Sequence, residues 1–402
     1  MSTTRRSPRA AAALVLLAAA LAGCSGGDDP GATPTPAPPD AVRAITRALD
    51  ARAQAVRQAD PEAFARLVGG GGRFRDAQET WFTNVTQLPV RRLRYELDRG
   101  SLVRDGDAYS VTADLVLQLE GYDPAPVVTP TRLRFRPAPK QPARFLLTSI
   151  LPASPQPWDL GPVEVREGAG VLGVFDAGSV DASPALLDSV ESGIASVTAT
   201  VPYDWSGSVV VYALSDPEFL LGLDDVPGDD PGDLDAVAFP VGDSTRVALN
   251  PRMLGQAGRE RDRLVRHELT HVAVGVHDDA APVWLSEGLA EYVAVRPLAP
   301  EDRRIPEVAL RAAEEGVTDL PDNDSFNGDD SEVHYGLSWW AVEYVADAFG
   351  ESAPWQLLDA MAVPGADPDV VLREQLGLTA AELADQADRM ILALYDPSAG
   401  MP

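Results

Sequence analysis

Apolar residues recur along this chain first at helical and then at alternating spacing. Val42, Ile45, Leu49, Ala53 and Val56 fall three and four apart, which is one face of a helix. Asp60-Pro61 offers a cap and a first-turn proline for a short second helix, and Phe74, Trp81, Phe82 and Val85 mark a third. The period then changes to two. Leu93, Tyr95 and Leu97, the odd positions from Tyr109 to Leu119, Leu133 and Phe135, and Phe145 and Leu147 each predict a strand with one buried face. After the Pro-rich 151–157, apolar runs at 163–176 and 207–214 predict strands around a helix near 184–197, and 245–250 alternates as a further strand. The rest reads as helices: 259–274 with Leu264, Val265, Leu269, Val272 and Ala273 inward, 282–294 with Trp284, Leu285, Leu289 and Tyr292 inward, then 339–349, 355–361 and 380–395.

This order predicts an α+β protein with a region at 41–150, a Pro-rich linker at 151–162 and a second region at 163–398. Cutting in the linker is expected to leave two soluble halves.

The second region carries the chemistry. The chain has four histidines, and two of them form His267-Glu268-Leu269-Thr270-His271. Residues four apart on a helix share a face, so both imidazoles can reach one cation while Glu268 points at a water beside it. A catalytic tetrahedral zinc needs three protein ligands and an open position. Glu287, on the next predicted helix, is the candidate third ligand. Glu291, one turn further on, is placed to accept the second ring N–H of a ligating histidine. Two histidines and a carboxylate can bind other divalent ions; Zn2+ is the expected one. His277 reads as a loop residue.

The motifs H-E-L-T-H at 267–271 and P-V-W-L-S-E-G-L-A-E-Y at 282–292 resemble the gluzincin metallopeptidases, in particular the peptidase MA-like domains, over about residues 160 to 395. The resemblance implies zinc ligands His267, His271 and Glu287, with Glu268 as general base. It also implies a downstream oxyanion stabiliser, for which Tyr335 is the first candidate and His334 the second. An edge strand of that family pairs with the substrate backbone, and 245–250 is its expected counterpart. Endopeptidase action on a protein or peptide substrate is the expectation. The alternative is a non-catalytic envelope lipoprotein that uses its first region as an interaction module. That first region, helices followed by a curved antiparallel sheet, is similar in pattern to the NTF2-like cone.

The amino terminus bears on location. Arg5, Arg6 and Arg9 precede an apolar stretch ending in Leu21-Ala22-Gly23-Cys24, which reads as a signal peptide at 1–23 and resembles a bacterial lipobox. Lipidation of Cys24, the single cysteine, would anchor the protein by a lipid at the outer face of the cytoplasmic membrane. The apolar run is shorter than the ~20 residues of a membrane span. Arg5-Arg6 also raises twin-arginine export, but Ser7-Pro8 favours the general secretory route. Residues 24–40 are expected to be a flexible spacer. Loss of the leader removes three arginines and no acid, taking the net charge from −28 to −31, which argues against nucleic acid as a partner. The acidic run at 322–328 misses the calcium-loop pattern, and oligomeric state is not legible.

Overall fold

The computed structural model describes residues 35–395 apart from 224–225, 227–230, 257, 279 and 318, so the leader and Cys24 lie outside the described residues. The amino-terminal pattern folds as helices α1 (Pro39–Arg57), α2 (Pro61–Ala65) and α3 (Gly72–Val85) beside an antiparallel sheet. The sheet contains β1 (Thr35–Pro36), β2 (Val90–Leu97), β3 (Val103–Asp105), β4 (Ala108–Leu119), β5 (Val127–Ala138) and β6 (Gln141–Pro152). Its order is β1-β3-β4-β5-β6, with β2 also paired to β4. The Asp60 carboxylate caps α2 by accepting from the Ala63 amide at 2.8 Å. A register shift between Arg134 and Phe135 bends β5 on β6. The alternating residues from Leu93 to Leu147 turn inward with Ile45, Leu49 and Val56 of α1.

The expected spacer to residue 40 ends sooner. Thr35 and Pro36 pair with Arg104 and Val103, and α1 starts at Pro39, where the fixed φ of proline suits a first helical turn.

The second region is built around a five-stranded mixed sheet of β7 (Glu164–Gly168), β8 (Val171–Phe175), β9 (Val209–Ala213), β10 (Ala236–Val241) and β11 (Ser244–Leu249), in the order β10-β11-β9-β8-β7. The inner strands β8, β9 and β11 run parallel, and β7 and β10 pair antiparallel at the edges. The short helix α4 (Pro157–Leu160) precedes the sheet, α5 (Ser183–Thr200) crosses from β8 to β9, and α6 (Glu218–Leu221) follows β9. Seven α-helices complete the described residues: α7 (Gly258–Val274), α8 (Val283–Val295), α9 (Glu307–Glu315), α10 (Ser331–Phe349), α11 (Ala353–Met361), α12 (Pro368–Gln375) and α13 (Ala380–Tyr395).

Strand 245–250 therefore falls inside the sheet, as β11, and β10 is the edge. Pro240 explains why β10 can only be there: proline has no N–H to give a ladder and is confined to edges. A two-residue turn, Gly242-Asp243 with Gly242 at φ +64°, joins the two strands.

Every residue of Val-Leu-Gly-Val-Phe in β8 and Val-Val-Val-Tyr-Ala in β9 is buried, the pattern of strands covered on both faces. Val171, Phe175, Val209 and Val211 face α5, α7 and the helical end. Leu172, Val174, Val210 and Tyr212 face the first region and share its core. Residues 151–162, read as a linker, are packed rather than free. Strand β6 runs to Pro152, Gln156 and Asp159 form a capping box on α4, and Trp158 is buried in the common core.

At this seam Arg246 of β11 is only 1% exposed. Its Nη2 lies 3.3 Å from the Asp123 carboxylate, on the turn after β4, and its Nη1 donates to the Tyr212 hydroxyl and to Gln156 Oε1. Asp123 also accepts from the Leu119 amide at 2.8 Å and the Ser244 hydroxyl at 3.0 Å. Removing one partner of such a pair strands a buried charge. Arg246→Met should lower the unfolding free energy by about 3–5 kcal/mol in urea denaturation, and Asp123→Asn/Arg246→Met should cost less than the sum of the single substitutions.

Candidate metal centre

Helix α7 presents His267 and His271 one turn apart, and two contacts fix its place. On one side α5 approaches closely at Gly193, where an added Cβ would lie 2.8 Å from Leu269 Cδ1. On the other, Arg266 Nε donates to the Ala294 carbonyl at the end of α8 at 2.7 Å. The start of α8 is held by Asn323, whose side chain accepts from the Val283 amide at 2.9 Å. A close approach also joins α8 to α10. At Gly288 a Cβ would meet the Ser338 carbonyl oxygen at 2.5 Å and Val342 Cγ2 at 2.9 Å, so the glycine of Trp-Leu-Ser-Glu-Gly is what lets Tyr335 of α10 reach the cluster.

The cluster forms as the motif spacing requires. His267 Nε2 lies 3.1 Å from Glu287 Oε2 and 3.2 Å from His271 Nε2, and His271 Nε2 lies 3.5 Å from Glu287 Oε2. Candidate ligand atoms of the three residues all fall within 4.8 Å of one another. Behind them, His271 Nδ1 bonds Asp278 Oδ2 at 2.9 Å. His267 Nδ1 lies 3.1 Å from Glu291 Oε1, an ion-pair distance off the line of a hydrogen bond. Arg263 holds Glu291 in turn, with Nε at 3.0 Å and Nη2 at 2.6 Å from Oε2.

Charge in the cluster follows from these contacts. Burial opposes a proton on His267, but the Glu287 and Glu291 carboxylates overcome it and raise its pKa to about 9. His271 is raised well above its ordinary value against the same burial penalty, by Asp278 and Glu287. Burial would raise the two glutamates, yet the histidines hold Glu287 far below the usual carboxylate range, and His267 with Arg263 holds Glu291 down at about 2. The surroundings thus favour positive charge between the three side chains. With each Nδ1 facing a carboxylate, both Nε2 lone pairs turn inward, and a pair of imidazoles plus a carboxylate is a divalent-metal donor set. His267, His271 and Glu287 can hold a metal ion.

Glu268 is 5% exposed and borders a cleft of about 100 Å³ with the cluster, Asp278, Tyr335 and Ala236, Val237 and Ala238 of β10. Burial raises its pKa, the histidines pull it back, and the Ala238 amide hydrogen-bonds it, which puts the outer edge of β10 on the cleft. Tyr335 packs 6.1 Å from the His267 ring, and its hydroxyl lies 3.4 Å from Asn327 Oδ1. Burial and the carboxylates Glu287, Glu268 and Glu291 push its pKa well up, so it stays protonated.

His334 is not brought in. Its ring lies against Phe326, Nδ1 donates to the Phe326 carbonyl at 2.8 Å, and it does not line the cleft. His277 stacks on Tyr203, with ring centroids 4.5 Å apart, outside the cluster. The sequence reading missed Asp278, for which the signal is a carboxylate just past the end of the histidine helix, and Arg263, one turn before His267 and facing Glu291.

Neither a comparison with family models nor one with curated proteins finds a match for this chain.

Two outcomes test the geometry. Gly288→Ala should destabilise the protein by about 1–3 kcal/mol through overpacking against Ser338 and Val342, read from urea denaturation. Glu291→Gln and Asp278→Asn should each weaken metal affinity about 10- to 100-fold in competition with a chromogenic chelator.

Proposed function

We propose that this protein is a zinc metallopeptidase of gluzincin type, with an amino-terminal NTF2-like cone and a zincin-type α+β domain, and that it acts as an endopeptidase on proteins or peptides. The observation that carries the reading is the convergence of His267, His271 and Glu287 beside a buried Glu268 in a cleft walled by an edge strand. Zinc held there supplies Lewis acidity and lowers the pKa of a water toward about 7.

The remaining steps belong to the chain's own side chains. Glu268 takes the proton of the attacking water and passes it to the leaving amine nitrogen. The Tyr335 hydroxyl donates to the substrate oxygen on which negative charge develops. Glu291 and Asp278 hold the two imidazoles in orientation. An extended substrate lies along β10, whose residues Ala236 and Ala238 line the cleft at the edge of the sheet. A scaffold role has nothing in its favour at Glu268, a buried carboxylate with no ion pair among the described residues.

The same reading places the protein at the outer face of the bacterial cytoplasmic membrane, anchored through lipidated Cys24. Its support is Leu-Ala-Gly-Cys at 21–24. Among the described residues no helix is long and apolar enough to cross a membrane.

Glu268→Gln should keep its zinc in elemental analysis and lose at least about 100-fold in cleavage of a diverse peptide library read by mass spectrometry. Unchanged turnover in that variant would overturn the general-base role, and wild-type protein that binds zinc and cleaves nothing would overturn the peptidase. Cys24→Ala should lose labelling by a fatty-acid analogue together with membrane retention.

A further inference from the structure

The metal cleft does not end at the histidines. It opens into a cavity of about 430 Å³ that shares Ala238, His271 and Asp278 with it and is also lined by Tyr122, Pro124 and Trp205. A third space of about 700 Å³ continues past those three and Asp243 to Asp204. The far wall of this groove therefore comes from the first region, through the turn between β4 and β5. That wall is fixed, not loose. Asp123, between Tyr122 and Pro124, is bonded to Arg246 and Ser244, and the Gly121 carbonyl accepts from the Ser208 hydroxyl at 2.8 Å.

The chemistry of the groove is one-sided. Tyr122 and Trp205 are partly exposed along it, and Val276 on its rim is 80% exposed. Asp204 and Asp243 are exposed carboxylates with no ion pair among the described residues. The groove's arginine, Arg91, already lies 3.6 Å from Glu120. Aromatic faces beside unpaired carboxylates suit a side chain with an apolar stem and a cationic head.

We propose that this groove is the substrate-binding extension of the metal cleft, and that it seats an extended peptide by an arginine or lysine held among Tyr122, Trp205, Asp204 and Asp243. The proposal rests on the peptidase reading for its orientation. Along β10 the turn at Gly242-Asp243 lies four to five residues beyond Ala238, and an extended chain beside the strand rises by the same ~3.3 Å per residue. The cationic residue accordingly sits about four or five positions from the cleaved bond. The first region is then part of the substrate site.

The test uses the full chain carrying Glu268→Gln, loaded with zinc and titrated by fluorescence anisotropy with labelled peptides in which one arginine is moved along a neutral background. One arginine position should bind about tenfold more tightly than the arginine-free peptide, the gain expected of two partly exposed charge contacts. Asp204→Asn/Asp243→Asn should abolish the gain, and Tyr122→Ala should reduce it. Equal affinity at every position, or a gain that survives Asp204→Asn/Asp243→Asn, overturns the groove assignment. Incubating the same peptides with the Glu268-containing chain separates the two readings. Cleavage with no arginine preference overturns the groove and leaves the peptidase standing. Arginine-selective binding without cleavage supports the groove and overturns the peptidase.

Discussion

A charged pair with no access to water, Arg246 with Asp123, sits where three segments of the chain meet. Such a pair gains little over an apolar filling, because desolvating both ions costs about what their attraction returns. Its effect is positional. The guanidinium reaches the β4–β5 turn, Gln156 and Tyr212, and it can satisfy these partners in one relative placement only. The central sheet then has the first region on one face and α5 and α7 on the other, and β10 is held in register beside the histidine helix.

Small residues do for the helices what the ion pair does for the sheet. Gly193 admits α5 to α7, and Gly288 admits α10 to α8, each at distances a methyl group would forbid. The cluster is thus assembled from helices whose spacing is set by absent side chains. The carboxylates behind the histidines have the opposite character: Glu291 and Asp278 add contacts, and Arg263 adds a third layer.

Much of this is legible before any coordinates. Alternation from Leu93 to Leu147 gives four strands of the first sheet with their inward faces, and the continuous apolar runs of β8 and β9 can be read as doubly covered strands. The spacing in His267-Glu268-Leu269-Thr270-His271 and the distance to Glu287 place the cluster, because helix periodicity is local. What escapes is non-local. Ala236–Val241 is short and apolar, and its edge position shows only in Pro240. Residues 151–162 look like a linker because proline marks irregular backbone, whereas burial of Trp158 depends on a sheet contributed by later residues. His334 and Tyr335 are neighbours in sequence but lie about 100° apart around a helix, so one faces the cleft and the other the loop at Phe326.

The division of labour among helices has a consequence for assembly. All three candidate metal ligands come from α7 and α8, while Tyr335 arrives on α10, which packs along α8 with its close approach at Gly288. The cluster and the Tyr335 wall of the cleft therefore rest on different helix contacts, α7 with α8 for the one and α8 with α10 for the other. A displacement of α10 along α8 moves Tyr335 and leaves the three candidate ligands on the helices that carry them.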